Sequence, residues 1–137
     1  MRKHEVRYHF MAEIVKKGWD DVMKQALAEA LDGPDKLFIS FDLDSLDPAF
    51  APGAGTPEPG GLTTREIFPI LRGLAINNDI VGMDVVEINL LVDSGYQTTA
   101  LVGQRVMREV LAGMVLRKNG IKDPHYLHPE LVDHAGK

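Results

Sequence analysis

The sequence predicts an α/β fold built on a parallel sheet, on three observations. Two apolar, β-rich runs, residues 36–43 (KLFISFDL) and 80–88 (IVGMDVVEI), have the length of strands rather than helices. Segments with helical periodicity stand before, between and after them, and strands that alternate with helices imply a parallel sheet covered on both faces. Two strands are few for such a sheet, which needs burial on both sides. The 137 residues are therefore expected to form one incomplete α/β unit, the C-terminal part of a larger protein.

Each element has its own signal. Residues 11–31 read as helix in one or two pieces, because Val22, Met23, Ala26, Leu27, Ala30 and Leu31 recur at three- and four-residue steps. Gly18 is a candidate break, with Asp20 as the cap of a fresh start. Asp32-Gly33-Pro34-Asp35 stops the helix. Residues 36–43 are expected to be a strand buried on both faces. Residues 44–61 carry Pro48, Pro52, Gly53, Gly55, Pro57, Pro59, Gly60 and Gly61, which excludes regular structure. An ordered loop of that length is usually functional. Thr63-Thr64-Arg65-Glu66 matches a capping box; the helix behind it runs through Ile67, Ile70, Leu71 and Leu74 to about residue 76, where Asn77-Asn78 ends it. Residues 80–88 form the second buried strand. Thr98–Lys118 reads as a long helix carrying Leu101, Val102, Val106, Val110, Leu111, Met114 and Val115, closed by Asn119-Gly120. Residues 122–137, with Pro124 and Pro129, form an extended tail. Its Tyr126 and Leu127, with the apolar long helix, are expected to meet other protomers.

Composition narrows the function. With 45% hydrophobic and 26% charged residues, a chain this long can bury roughly 65–70% of its unfolded surface. Twenty acidic against fifteen basic residues leave a net charge of −5, which argues against a nucleic-acid partner and suits a small cation. There is no cysteine, so disulfides, thiolate metal sites and cysteine nucleophiles are excluded. No apolar run approaches the ~20 residues that span a bilayer, and the first residues lead into no signal-type core. The expectation is a cytoplasmic protein with no membrane partner.

The informative carboxylates are Asp42 and Asp44. Two apart on a strand, they would project to one face, at the strand end where open α/β sheets bind ligands. Paired carboxylates repel unless a counter-charge is present. A divalent cation supplies it, and oxygen ligands suit Mn²⁺ or Mg²⁺; one carboxylate can bridge two ions while its neighbour holds one. The bland alternative is a pair of exposed caps at a strand end. The apolar lead-in and the Gly/Pro loop behind favour metal. A helix-loop-helix calcium site would need ligands, glycine and glutamate where the chain has Asp42, Asp44, Leu46, Asp47 and Gly53, and only two of those five slots match. A haloacid-dehalogenase-like phosphatase wants Thr where Leu46 stands, which leaves it a weak rival.

Ser40-Phe41-Asp42-Leu43-Asp44-Ser45-Leu46-Asp47-Pro48, followed by Ala51-Pro52-Gly53-Ala54-Gly55-Thr56-Pro57-Glu58-Pro59-Gly60-Gly61-Leu62-Thr63, resembles the third metal motif of the ureohydrolase family (arginase, agmatinase, guanidinobutyrase and relatives). Gly82-Met83-Asp84-Val85-Val86-Glu87-Ile88-Asn89 resembles the strand that follows it. Pro-Glu-Pro-Gly-Gly looks closer to agmatinase-type members. The likeness covers roughly residues 36–118. It implies an arginase-like three-layer α/β/α sandwich around a parallel sheet. It also implies that Asp42 bridges two Mn²⁺ ions (Ni²⁺ or another divalent ion being the alternative) and that Asp44 binds one. Glu87 would face the substrate guanidinium through charge-assisted hydrogen bonds, and Thr56 would line the pocket. Without the likeness, Glu87 is an ordinary strand-end glutamate and Thr56 a turn hydroxyl. Asp47 is expected to order the loop, and the loop glycines to serve backbone shape. The implied reaction hydrolyses an agmatine-like guanidino compound to urea and an amine, in a homo-oligomer (trimer or hexamer).

The family's two upstream motifs, a histidine ligand and an Asp-x-His-x-x-x-Asp cluster, have no counterpart here, and Leu90 stands where relatives usually place Pro. His4, His9, His125, His128 and His134 read as surface or tail residues. The chain alone is expected not to hydrolyse guanidines, and to need the remaining N-terminal part of the fold as its partner. The competing reading is a non-catalytic metal-binding or assembly subunit.

Overall fold

The computed structural model describes residues 6–126. The elements follow in the order α1 (Met11–Lys17), α2 (Trp19–Ala30), β1 (Leu37–Asp42), α3 (Thr64–Asn77), β2 (Ile80–Val86) and α4 (Thr98–Lys118). The break between α1 and α2 is Gly18, whose φ of 87° leaves the helical region. Gly18 itself holds the N-cap position of α2. The expected cap, Asp20, instead lies with Asp21 in the first turn, where the helix dipole favours a carboxylate.

β1 and β2 pair in parallel, with Phe41 opposite Val85 and Asp42 opposite Val86. One face of this pair meets α3 and α4. Phe41, Leu43, Leu46, Ile67, Leu71, Val106 and Val110 form the buried cluster between them, with Ile39, Met83 and Val85 packed against it. The α3–α4 contact is close enough to require Gly113, because a Cβ there would lie 2.5 Å from the Arg72 carbonyl oxygen. The expected capping box is present, with the Thr63 side chain accepting from Glu66 N and the Glu66 side chain accepting from Thr63 N. Helix α4 has the bounds its periodicity predicts.

The strands differ from expectation in burial. Phe38 is 60% and Val81 61% exposed, so each strand buries one face rather than two. The physical reason is that the described helices cover one side of the sheet and leave the other open. The tail also differs in part, since Arg72 donates to the Pro124 carbonyl (2.9 Å) and ties its start to α3. Leu127 and the rest of the predicted tail lie outside the described residues, as do His4, His128 and His134. Among the described residues no helix is long and apolar enough to cross a membrane.

Candidate functional site

The site lies at the C-terminal ends of both strands. β1 stops at Asp42 because Leu43, fully buried, turns into the core and starts a single 3₁₀ turn over Leu43–Ser45. This corrects the expected same-face geometry: Asp44 is not on the strand but on the turn. The two carboxylates are related by that turn, in which Asp42 Oδ1 accepts from Asp44 N at 2.8 Å and Ser45 Oγ donates to the Asp42 carbonyl.

The long loop then folds back over the turn. A parallel bridge joins Leu46 to Leu62. Asp47 accepts from Ala49 N (2.9 Å) and Gly60 N (2.8 Å), so it orders the loop, as expected. Asp44 Oδ1 accepts from Thr56 N at 3.0 Å, and its Oδ2 accepts from the Thr56 hydroxyl. Thr56 is therefore a partner of the acidic pair. Donation from the Thr56 hydroxyl, then from the Thr56 and Gly55 amides, holds the Asp44 carboxyl below its usual 3.8.

Glu87 arrives from β2, one residue past the strand. Its φ of 63° is the left-handed conformation that side chains resist, a local strain of the kind that collects at functional sites. The carboxylate reaches Gly55: a Cβ added there would overlap Glu87 Oε2 and come within 3.8 Å of Asp44 Oδ1. Glycine at position 55 thus lets Asp44, Thr56 and Glu87 share one place. Asp42, Asp44 and Glu87 form no ion pair with a cation among the described residues. Among the described residues, the donors that reach Asp42 and Asp44 are neutral: the Asp44 amide, the Thr56 amide and hydroxyl, and the Gly55 amide.

A second set of bonds, unforeseen in the sequence, holds the scaffold. Asp93 accepts from Thr99 N, Ala100 N, Ser94 N and the Thr99 hydroxyl, capping α4 from outside its N-cap, Gln97. Burial pushes the Asp93 carboxyl up, and those bonds outweigh it, so its pKa lies below the usual 3.8. Six residues separate Asp93 from Thr99, too many for a capping pattern; a carboxylate just upstream of a long apolar-periodic run was the available signal. His9 also departs from expectation. It is part-buried between Glu13 (3.0 Å) and Glu29 (3.4 Å), where it bridges α1 and α2, while His125 is exposed.

The donor set suits a hard divalent ion in kind. A carboxylate offers about four lone-pair sites, so the bonds from Thr56 leave Asp44 capacity, and among the described residues the one bond to the Asp42 carboxylate is at Oδ1. In number it is short: among the described residues no group of three or more His, Cys, Asp or Glu side chains is disposed to hold a metal. The phosphatase rival fails on Leu46, which is fully buried in the core where that chemistry needs a polar side chain at the site.

Comparison with known proteins gives one family: the model of the arginase family matches residues 1–113. The guanidinopropionase of Pseudomonas aeruginosa is 44% identical over 110 residues, 80% of this chain and 33% of that protein. The agmatinase of Photorhabdus laumondii is 48% identical over 92 residues, 67% of this chain and 29% of that protein. Among solved structures, formimidoylglutamase from Bacillus subtilis superposes with a TM-score of 0.77 at 34% identity, over 84% of this chain and 36% of that one. The chain thus spans about a third of the length of the curated relatives it matches.

Proposed function

Because the chain belongs to the arginase family, we propose that it furnishes part of a ureohydrolase site that cleaves an agmatine-like guanidino compound to urea and an amine. In this reading Asp42 and Asp44 hold divalent metal, with Mn²⁺ the first choice and Ni²⁺ an alternative. Glu87 pairs with the substrate guanidinium, and Thr56 fixes the orientation of Asp44. The histidine ligands come from the remaining N-terminal part of the fold, and the complete protein assembles as a trimer or hexamer in the cytoplasm.

The observation that carries the reading is the convergence of Asp44, Thr56 and Glu87 on Gly55. When bound, the metal pair supplies Lewis acidity and acidifies water. The residues of this chain do the rest. Thr56 spends its amide and hydroxyl protons on Asp44, which keeps that side chain anionic and correctly turned. Glu87, held near Gly55 by its backbone, offers two acceptor oxygens to a planar cation. Both carboxylates lie next to Gly55, so Asp44 would hold metal and Glu87 would hold the guanidinium within one site.

The test is urea release from agmatine by the chain alone and by the chain mixed with the upstream two thirds of the Photorhabdus agmatinase. The chain alone should release none, and the mixture should release urea in proportion to added Mn²⁺, lost in Asp42→Ala. Mn²⁺-dependent release by the chain alone, or release indifferent to Asp42→Ala, contradicts the reading. A second reading, a non-catalytic assembly piece, is favoured by exposed Phe38 (60%), Val81 (61%), Leu111 (59%) and Val115 (58%). A stable chain that binds no metal yet associates would support it.

A further inference from the structure

We infer that Asp93 and Thr99 are positioning residues that set where Asp44 stands relative to Glu87; the inference rests on the functional reading above for its significance, though not for its geometry. Thr99 is a fully buried polar side chain, and its hydroxyl is used twice. It donates to Asp93 Oδ1 at 2.9 Å and accepts from Gly53 N at 2.7 Å. Capping α4 accounts for the bonds from Thr99 N and Ala100 N to Asp93. It does not account for the bond to Gly53, which belongs to another loop 46 residues away.

That extra bond is the start of a path to both carboxylates. Gly53 O accepts from Asn89 N at 2.8 Å, two residues beyond Glu87. In the other direction, Gly55 lies against Glu87 and Thr56 holds Asp44. Gly53 is also pressed onto Asp93: a Cβ there would lie 2.5 Å from Asp93 Cβ and 2.7 Å from its Cα. Residues 53–56 are therefore clamped between the first turn of α4 and the turn after β2. The clamp thus ties the loop segment that touches both carboxylates to α4 on one side, through Gly53 N, and to the turn after β2 on the other, through Gly53 O. Thr99 and Asp93 touch neither metal nor substrate in this scheme; they act through the loop.

The test uses the 137-residue chain with amide hydrogen exchange read by NMR at Thr56, Asn89, Leu71 and Val110. Thr99→Val keeps the shape and removes the hydroxyl, which leaves the Gly53 amide without its acceptor. It should speed exchange at Thr56 and Asn89 roughly tenfold, with Leu71 and Val110 unchanged. Thr99→Ser, which keeps the hydroxyl, should return both to within about twofold of the wild-type rate, since the bond is retained. Asp93→Asn, which keeps one acceptor oxygen, guards against a Val variant that fails to fold and should give an intermediate increase at the same two amides. Faster exchange confined to the first turn of α4, with Thr56 and Asn89 unmoved, would reduce both residues to a helix cap and overturn the inference. So would a failure of Ser to rescue. Mn²⁺ added to the wild-type chain separates the two claims. If that Mn²⁺, given to the chain mixed with the upstream two thirds of the Photorhabdus agmatinase, yields no urea from agmatine while the exchange pattern holds, the functional reading fails and the positioning stands.

Discussion

Two carboxylate sites in this chain teach by contrast. Glu109, midway along α4, is 2% exposed and meets two guanidinium groups. Arg72 reaches it through Nε (2.6 Å) and NH2 (2.5 Å), and Arg105 ion-pairs with it while lying 5.3 Å over the Phe68 ring. At the strand ends, Asp44 and Glu87 are at least partly open to solvent and receive no cation from the described chain. The residue types are the same. In the first case the chain supplies the counter-charge, and the carboxylate serves to join α3 to α4. In the second it supplies only hydroxyl and amide donors, which orient an anion without neutralising it. An oriented, uncompensated carboxylate beside a second one is an invitation to a cation.

The contrast breaks first at Glu109. Glu109→Ala should cost about 2 kcal/mol in denaturant unfolding, because it empties a buried position and removes the shared partner of Arg72 and Arg105, whose side chains still reach solvent, whereas Asp42→Ala should stay within about 0.5 kcal/mol. Equal losses would erase the distinction. Gly53→Ala comes next. Its Cβ would press on Asp93 backbone and side chain, so about 2 kcal/mol should be lost. Gly55→Ala is smaller in stability, about 0.5 kcal/mol, because the obstructing group is the free end of the Glu87 side chain. Its effect should fall on the site, moving the Glu87 carboxyl resonance in NMR while core resonances stay in place.

The smallest effect is on pH. Asp93, Asp47 and Glu66 all have carboxyl pKa values lowered by native hydrogen bonds, against ordinary values of 3.8, 3.8 and 4.5. Groups with a depressed folded pKa stabilise the fold fully above the unfolded value and lose that contribution as pH falls through the folded one. Unfolding midpoints should therefore be flat above about pH 5 and decline below pH 4, and Asp93→Asn should flatten part of that decline. A midpoint that rises on acidification would contradict the assignment.

What the sequence made legible was local. The Thr63–Glu66 capping box and the Thr98–Lys118 helix follow from neighbours within one or two turns, and both are as expected. The acidic motif and Glu87 were legible as a resemblance, but their placement was not. Asp44 leaves the strand because Leu43 is drawn into the core, a tertiary demand that period-two reasoning does not contain. The left-handed backbone at Glu87 has no residue signature, since glutamate is not a residue that seeks it. Asp93 and Thr99 act across separations of up to 46 residues, beyond any local pattern. The strands' open face agrees with the incomplete unit read from the sequence, because burial on the second face depends on what lies across the sheet.

The most direct measurement is an Mn²⁺ titration of the isotope-labelled chain, following carboxyl resonances by NMR. Saturable broadening at Asp42, Asp44 and Glu87, with Glu109 untouched, is the outcome that oriented but uncompensated carboxylates require. Broadening that never saturates, or that reaches Glu109 as strongly as Glu87, would mean that the strand-end carboxylates are ordinary surface charges.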